Sequence, residues 1–195
     1  DGVEGAVVNF AGQEARATVA PGADVAAMQA AIEKLGYAIR PLAPGDERVT
    51  YGELNEQANR LGHVLADMGV GPDRLAGLCV ERGPDMITGL LGILKAGGAY
   101  VPMDPGYPPE RLAFMVQDSG ASVLVTSEAL LELLPEHEAQ VLCLDRDGDR
   151  LEAASDRDPE PVTGPDHLAY AIYTSGSTGT PKCALLAHRG LCNLT

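Results

Sequence analysis

The chain has 195 residues, with 14 lysines and arginines against 28 aspartates and glutamates, which gives a formal net charge of −14. Such an acidic surface repels nucleic-acid phosphates and anionic lipid headgroups, so neither nucleic acid nor a membrane surface is expected as a partner. The longest uncharged apolar run, residues 86–94, is far shorter than the ~20 residues that a membrane span needs.

The first 43 residues have a pattern of their own. They predict a strand, a turn, a second strand, a helix and a short extended piece, at residues 6–10, 12–13, 15–19, 24–35 and 37–40. The turn-forming stretch at residues 43–46 interrupts this pattern. We therefore expect two domains, at residues 1–43 and 46–195.

Helices and strands alternate from residue 46 onward. Thr50 and Glu53 form a T-x-x-E capping box before an amphipathic helix that Gly69 ends. Apolar strands are then predicted at residues 75–80, 99–103, 122–126 and 140–144, and helices between or after them at residues 84–94, 109–117 and 128–134. Repeated β-α units with apolar strands predict an α/β fold, in which a mostly parallel sheet has flanking helices.

Residues 145–166 are rich in charged residues and proline and show no apolar periodicity, which predicts a surface loop. A strand is predicted next, at residues 167–173. Residues 174–182 follow it directly with the sequence TSGSTGTPK, which contains several hydroxyls, two glycines and one of the chain's three lysines. Glycines let backbone amides approach an anion, hydroxyls donate hydrogen bonds and a lysine neutralises charge, so this loop suits a polyphosphate.

Three other interpretations of the loop are less favourable. A flexible Ser/Gly linker seldom follows an apolar strand at once. A Walker A loop requires lysine directly after glycine, whereas Thr180 and Pro181 separate Gly179 from Lys182. A dinucleotide-binding fingerprint would need G-x-G-x-x-G after a strand, and the sequence has none.

Three segments together resemble a known family. Residues 173–182, YTSGSTGTPK, are similar to the phosphate-binding motif of adenylate-forming enzymes. Residues 49–55, VTYGELN, with ANRL at 58–61, and residues 94–105, LKAGGAYVPMDP, resemble the first two signatures of nonribosomal peptide synthetase adenylation domains. The resemblance covers residues 46–195 and implies the N-terminal part of the adenylate-forming (AMP-binding) fold.

The resemblance implies ATP-dependent activation of a carboxylic acid, with an amino acid expected, to an acyl-adenylate and pyrophosphate. Mg²⁺ would accompany ATP, and the acyl group would pass to phosphopantetheine on a carrier domain, with carrier and condensation domains of the same synthetase as partners. The implied phosphate cradle consists of Thr174, Ser175, Gly176, Ser177, Thr178, Gly179 and Lys182.

One residue departs from the family pattern, because Cys183 stands where the family usually has glycine. If this position needs a left-handed backbone, a cysteine there costs ~1–2 kcal/mol. If it begins the next strand, little changes. Cys183 as a nucleophile is not favoured, since no His-Asp pattern accompanies it.

The remaining signature residues are given structural roles. Residues 95–104 are interpreted as a helix end and a buried strand, Tyr51 and Glu53 as capping and packing residues, and the four histidines as surface or supporting positions. In the family, the amino-acid pocket and the catalytic lysine lie beyond the phosphate loop. The chain is therefore expected to be an incomplete fragment, without catalytic residues and inactive in adenylation alone.

A second resemblance concerns the first domain. Residues 2–11, 15–19 and 30–37 resemble the second half of a heavy-metal-associated domain of copper-transporting ATPases, which implies a partial ferredoxin-like α+β segment. The C-x-x-C that holds copper in that family is missing, and no cysteine precedes Cys79, so copper binding is not expected. A metal-handling module and a noncatalytic scaffold piece are the alternative functions.

The four cysteines argue against disulfides and against a metal site. They are irregularly spaced and form no C-x-x-C pair, so a reducing cytoplasm is the expected location. Cys183, His188 and Cys192 share no helical face, and metal ligation by them is not expected.

Overall fold

A computed structural model describes residues 3–9, 14–19, 49–174 and 181–192 of the chain. The chain divides into two compact units, Asp1–Asp46 and Glu47–Thr195. In the first unit, strands β1 (Val3–Asn9) and β2 (Glu14–Val19) pair antiparallel. The two strands predicted there are confirmed, whereas the turn, the helix and the extended piece predicted at residues 12–13, 24–35 and 37–40 lie outside the described residues.

The second unit is built on a six-stranded sheet. Its strands are β3 (Leu75–Leu78), β4 (Ala99–Pro102), β5 (Val123–Thr126), β6 (Gln140–Cys143), β7 (Leu168–Thr174) and β8 (Lys182–Ala187). Their order across the sheet is β6-β5-β3-β4-β7-β8, and every neighbouring pair is parallel except β7 and β8. The predicted α/β fold with a mostly parallel sheet is confirmed.

Helices precede, separate or follow the strands of the second unit. They comprise α1 (Tyr51–Asp67), α2 (Pro84–Lys95), α3 (Pro109–Ser119), a 3₁₀ helix (Glu128–Leu133), α4 (Gly148–Ala153) and α5 (His188–Cys192). The predicted capping box begins α1, since the Thr50 hydroxyl accepts from the Glu53 backbone N–H at 3.2 Å and Glu53 Oε2 accepts from the Thr50 N–H at 2.8 Å. Among the described residues, no helix has both the length and the apolar character needed to cross a membrane.

Helices cover both faces of the sheet and produce two apolar cores. On one face, α1 and α2 bury Leu61, Leu65 and Ile93 against β3 and β5. On the other face, α3 buries Leu112 and Met115 against side chains of β4, β5 and β7. Because side chains alternate along a strand, each buried strand supplies residues to both cores, and its sequence is apolar throughout.

Helices α1 and α2 approach closely through two glycines. A Cβ atom on Gly92 would lie 2.5 Å from Leu61 Cγ, and a Cβ atom on Gly62 would lie 3.0 Å from Lys95 Cβ. Real Cβ atoms do not tolerate a 2.5 Å contact, so the packing of these helices requires glycine at position 92.

The surface loop predicted at residues 145–166 is wrong in part, because residues 148–153 form α4. The residue before α4, Asp147, is fixed to the end of β6, because its Oδ2 accepts a hydrogen bond from the Cys143 N–H at 2.8 Å. Leu151 and Ala154 pack against the core beneath α1 and α2. A helix this short presents too few apolar side chains to produce a periodic signal, which explains the error.

Candidate functional site

The carboxyl ends of the parallel strands lie along one edge of the sheet, which is where open α/β folds bind ligands. β3 continues into α2 on one face, and β4 continues into α3 on the other. Between the ends of β3 and β4, where the connections leave for opposite faces of the sheet, the guanidinium of Arg82 pairs with Asp104 at 3.7 Å. Asp104 also accepts a hydrogen bond from the Gly106 N–H at 2.8 Å. β7 delivers Thr174 to the same edge.

Thr174 and Lys182 are the described members of the predicted phosphate cradle. They are opposite each other in the antiparallel β7–β8 pair, and the Thr174 hydroxyl is 3.4 Å from the Lys182 carbonyl oxygen. Both side chains are exposed, and strand alternation places them on one face of the hairpin. The structure therefore brings together the two ends of the motif, while Ser175, Gly176, Ser177, Thr178 and Gly179 lie outside the described residues.

The ammonium group of Lys182 forms no ion pair with a described residue of the second unit. The other lysine of that unit, Lys95, does form an ion pair, with its Nζ 2.7 Å from Asp158, but no ion pair to a described residue involves Lys182. An exposed lysine whose register partner is an exposed threonine, at the carboxyl edge of a parallel sheet, is suited to bind an anionic ligand.

Tyr173 anchors the end of β7 from the opposite face. The residue is 7% exposed, and its ring meets Phe114 edge to face, with ring centroids 5.9 Å apart. Its hydroxyl donates to Asp118 Oδ2 at 2.7 Å. Burial, followed by this hydrogen bond, raises the pKa of Tyr173, so the hydroxyl keeps its proton and remains a donor at neutral pH.

Cys183 is the second residue of strand β8, which answers the question left open by the sequence. It is the register partner of Tyr173, and Asp73 is the one non-glycine residue with a positive φ among the described residues. Cysteine is therefore not strained at this position. Burial raises the pKa of the Cys183 thiol, so it lacks the thiolate character that a nucleophile needs.

Two residues of the first signature, residues 49–55 and 58–61, bind a distant part of the chain to helix α1 by hydrogen bonds. Arg60 Nη1 donates to the carbonyl oxygens of Glu152 at 2.5 Å and of Ala154 at 2.6 Å. Asn59 is buried and donates to the carbonyl oxygen of Asp156 at 2.6 Å. These polar residues therefore satisfy the backbone of the segment that follows α4, a role that could not be read from the sequence because the partners lie more than 90 positions away.

Two residues of the same signature behave differently from each other. Glu53 caps the helix as predicted, and the hydrogen bond from the Thr50 N–H holds its pKa below the ordinary value. The prediction that Tyr51 packs or caps is wrong, because its side chain is 93% exposed. Tyr51 is the first residue of α1 and precedes the turns that pack on the sheet.

The second signature is a helix end and a buried strand, as predicted. Gly97 takes a φ of 85° after α2, and Ala99 and Val101 of β4 are fully buried. Lys95 bonds Asp158, and this hydrogen bond lowers the pKa of Asp158. The pair lines a shallow cavity of about 290 Å³. Since α2 runs back across the sheet, this cavity lies at the amino edge, opposite Thr174.

The four histidines are half-buried. His63 Nε2 lies 3.0 Å from the carbonyl oxygen of Arg157, and His167 Nδ1 accepts from the Gly164 N–H at 2.8 Å. Within residues 49–174 and 181–192, no group of three or more histidines, cysteines and carboxylates is arranged to hold a metal ion.

Comparison with known proteins gives consistent similarities. The family model described as AMP-binding enzyme matches residues 22–195. The chain is similar to a linear gramicidin synthase protein of Brevibacillus parabrevis, with 55% identity over 150 residues. It also resembles the crystal structure of the nonribosomal peptide synthetase FmoA3 bound to alpha-methyl-L-serine-AMP, with 40% identity and a TM-score of 0.69. The AMPPNP-bound form of FmoA3 matches with 38% identity and a TM-score of 0.70.

These matches cover most of this chain and a small part of each relative. The gramicidin synthase match covers 77% of this chain and 3% of that protein. The two FmoA3 matches cover 77% and 85% of this chain, and 16% and 17% of the FmoA3 chain. The family match starts at residue 22, inside the segment that resembles a heavy-metal-associated domain, and gives that resemblance no support.

Proposed function

This chain belongs to the AMP-binding enzyme family, and we propose that it holds the phosphates of ATP within an adenylation domain of a nonribosomal peptide synthetase. The reaction is activation of a carboxylic acid, an amino acid, to an acyl-adenylate with release of pyrophosphate. The observation that carries the proposal is the pair of Thr174 and Lys182, which closes a hairpin at the carboxyl edge of the sheet. The ligands named for FmoA3, an acyl-AMP and AMPPNP, support it.

The chemistry explains why a hydroxyl and a lysine are useful at this place. A carboxylate that attacks the α-phosphate of ATP is an anion approaching an anion, and the leaving pyrophosphate gains charge as the bond breaks. Lys182 would neutralise the β- and γ-phosphates, and the Thr174 hydroxyl would exchange its long hydrogen bond to the Lys182 carbonyl oxygen for one to a phosphate oxygen. Both act as preorganised electrostatic groups, not as nucleophiles. Ser175, Gly176, Ser177, Thr178 and Gly179 complete the proposed cradle.

Mg²⁺ would arrive bound to the nucleotide. The described residues offer no cluster of ligands that could hold a metal alone, and Mg²⁺ in nucleotide sites is bound by one or two protein groups together with the substrate phosphates. The Thr174 hydroxyl and Lys182 fit a Mg²⁺-nucleotide complex because both would bind its phosphate oxygens. In this proposal the acyl group passes to phosphopantetheine on a carrier domain, with carrier and condensation domains as partners.

Equilibrium dialysis with radiolabelled ligands tests the proposal. The chain is expected to bind Mg²⁺·ATP and Mg²⁺·pyrophosphate, and Lys182→Ala to weaken both by about ten- to a hundredfold, because a hydrogen bond to a charged group contributes about 1.5–3 kcal/mol. AMP should be affected much less, since it lacks the β- and γ-phosphates. Raising the salt concentration should weaken ATP binding further, because exposed charges are screened over about 8–10 Å.

A charge-matched control separates a local effect from a general one. Arg157→Ala removes one exposed positive charge from the segment next to Asp158, at the amino edge of the sheet. It should leave ATP affinity within about twofold of wild type. Equal losses in Lys182→Ala and Arg157→Ala, or no binding of ATP and pyrophosphate by the wild-type chain, would contradict the proposed phosphate site.

A further inference from the structure

Next to the proposed phosphate site, two side chains of helix α3 contact Tyr173, near the end of β7. Phe114 and Asp118 lie four residues apart, on the same side of α3. Phe114 meets the edge of the Tyr173 ring, and Asp118 accepts the hydrogen bond of the Tyr173 hydroxyl. One helix therefore fixes both the position of the ring and its rotation.

The position of Asp118 is unfavourable for the helix itself. It is the penultimate residue of α3, and the last turn contains no basic residue. A negative charge there faces the negative end of the helix dipole, which is unfavourable. Helix stability therefore does not account for an aspartate here, whereas its 2.7 Å contact with a buried tyrosine hydroxyl does.

The backbone links this contact to the proposed site. Tyr173 pairs with Cys183, and the next pair along the hairpin is Thr174 and Lys182. Successive side chains of a strand point to opposite faces, so the side on which Tyr173 is buried decides the side on which Thr174 and Lys182 are presented. In agreement, Tyr173 is buried while Thr174 and Lys182 are exposed.

We propose that Asp118 is a positioning residue, which accepts the Tyr173 hydrogen bond and thereby holds the end of β7 so that Thr174 and Lys182 face the ligand together. The inference rests on the proposed function, because the phosphate site is the one proposed above. Asp118 does not contact the ligand. Its effect passes through the ring of Tyr173 and the backbone of the β7–β8 pair.

Three variants test the contact. Tyr173→Phe removes the donor and keeps the ring, Asp118→Ala removes the acceptor, and Asp118→Asn keeps an amide oxygen that accepts from the hydroxyl. Tyr173→Phe and Asp118→Ala are expected to weaken Mg²⁺·pyrophosphate binding about fivefold, the change that corresponds to one hydrogen bond of about 1 kcal/mol. Asp118→Asn is expected to recover most of the affinity.

Amide hydrogen exchange by NMR provides a readout that does not depend on the ligand. In Tyr173→Phe and Asp118→Ala, the backbone amides of the Thr174–Lys182 pair should exchange at least severalfold faster than in wild type. Two controls exclude a general loss of stability. Ile93→Val weakens the opposite core, and Tyr100→Phe removes the hydroxyl of a tyrosine that stacks on Tyr170. Neither should change exchange at this pair or the affinity for pyrophosphate.

The outcomes separate the two proposals. If the wild-type chain binds pyrophosphate and Tyr173→Phe matches it in both affinity and exchange, the positioning role is wrong and the phosphate site stands. If the wild-type chain does not bind, the phosphate site is wrong, and the positioning claim fails with it even if exchange changes. If Ile93→Val produces the same losses, the effect is one of stability, and the positioning role is wrong.

Discussion

Arg60 reaches across helix α1 to the carbonyl oxygen of Ala154, 94 positions later in the chain, at 2.6 Å. The same guanidinium pairs with the Asp156 carboxylate at 3.6 Å. A single side chain of α1 therefore holds the end of α4 and the residues that follow it. Because the guanidinium is fixed by two carbonyl oxygens and a carboxylate, lysine could not reproduce its bonding.

Arg60→Ala is expected to lower the free energy of unfolding by about 1–3 kcal/mol, because it leaves the partly buried carbonyl oxygen of Ala154 and the exposed one of Glu152 without this donor. Arg60→Lys should recover less than half of that loss. Urea denaturation monitored by circular dichroism measures both. Arg157→Ala serves as the control, since its side chain is exposed in the same segment. A loss for Arg60→Ala no larger than that of the control would show that the contact does not stabilise the fold.

Cys183→Gly, which restores the residue usual in the family, is expected to lower the free energy of unfolding by about 0.5–1 kcal/mol. Cys183 lies in strand β8 opposite Tyr173, so glycine relieves no strain and adds backbone entropy to the unfolded chain. Cys183→Ala, compared in the same urea titration, separates the loss of the thiol from the effect of glycine. A stabilised Cys183→Gly variant would mean that the backbone at this position is strained after all.

The fold could be predicted from local patterns, whereas the contacts that hold it together could not. Apolar runs located the parallel strands, and the T-x-x-E motif located the start of α1, since both signals lie within a few neighbouring residues. The order of the strands across the sheet depends on packing between distant segments. Helix α4 was missed for a related reason, because its apolar side chains are few and Leu151 and Ala154 pack, partly buried, against a core built from distant segments.

The same distinction applies to the candidate site. The motif alone indicated Thr174 and Lys182, and the structure adds that they are opposite each other in one hairpin. Asp118 was not predicted, because its partner Tyr173 lies 55 positions further on. The one usable signal was an aspartate at the unfavourable end of a predicted helix, directly before Ser119 and Gly120.

The contact between Lys95 and Asp158 predicts a pH dependence with a definite sign. The pKa of Asp158 in the folded chain lies below its ordinary value of 3.8, chiefly because Lys95 donates a hydrogen bond to it. The contribution of the pair to stability is therefore present above pH 3.8 and is lost as the pH falls through the lower, folded value. Lys95→Gln should cost the same at pH 7 and pH 5, and less below about pH 3.8.

Denaturation of wild type and Lys95→Gln at each pH measures this difference. The size of the effect should be small, since Asp158 is exposed and surface ion pairs contribute little. Asp156→Asn, which alters a neighbouring exposed carboxylate, controls for the general effect of acid on the segment. A difference between wild type and Lys95→Gln that grows steadily as the pH falls from about 7 to about 3 would contradict the assigned direction.

Gly92→Ala is expected to destabilise the chain, although the same substitution normally favours a helix by up to about 1 kcal/mol. An added Cβ atom would lie 2.5 Å from Leu61 Cγ and 2.9 Å from Leu61 Cβ, so α1 and α2 would have to separate. Overpacking of this kind costs about 1–3 kcal/mol, which exceeds the gain in helix propensity.

Gly52→Ala is the matched control in α1, because the nearest atom to its added Cβ is 3.9 Å away, and it should be neutral or stabilising. Urea denaturation should therefore show a loss of stability for Gly92→Ala and none for Gly52→Ala. Leu61→Val, which trims the side chain that the added Cβ atom would strike, should cost less in the Gly92→Ala background than in wild type. Equal costs in both backgrounds, or a stabilised Gly92→Ala variant, would show that the two helices do not depend on this close approach.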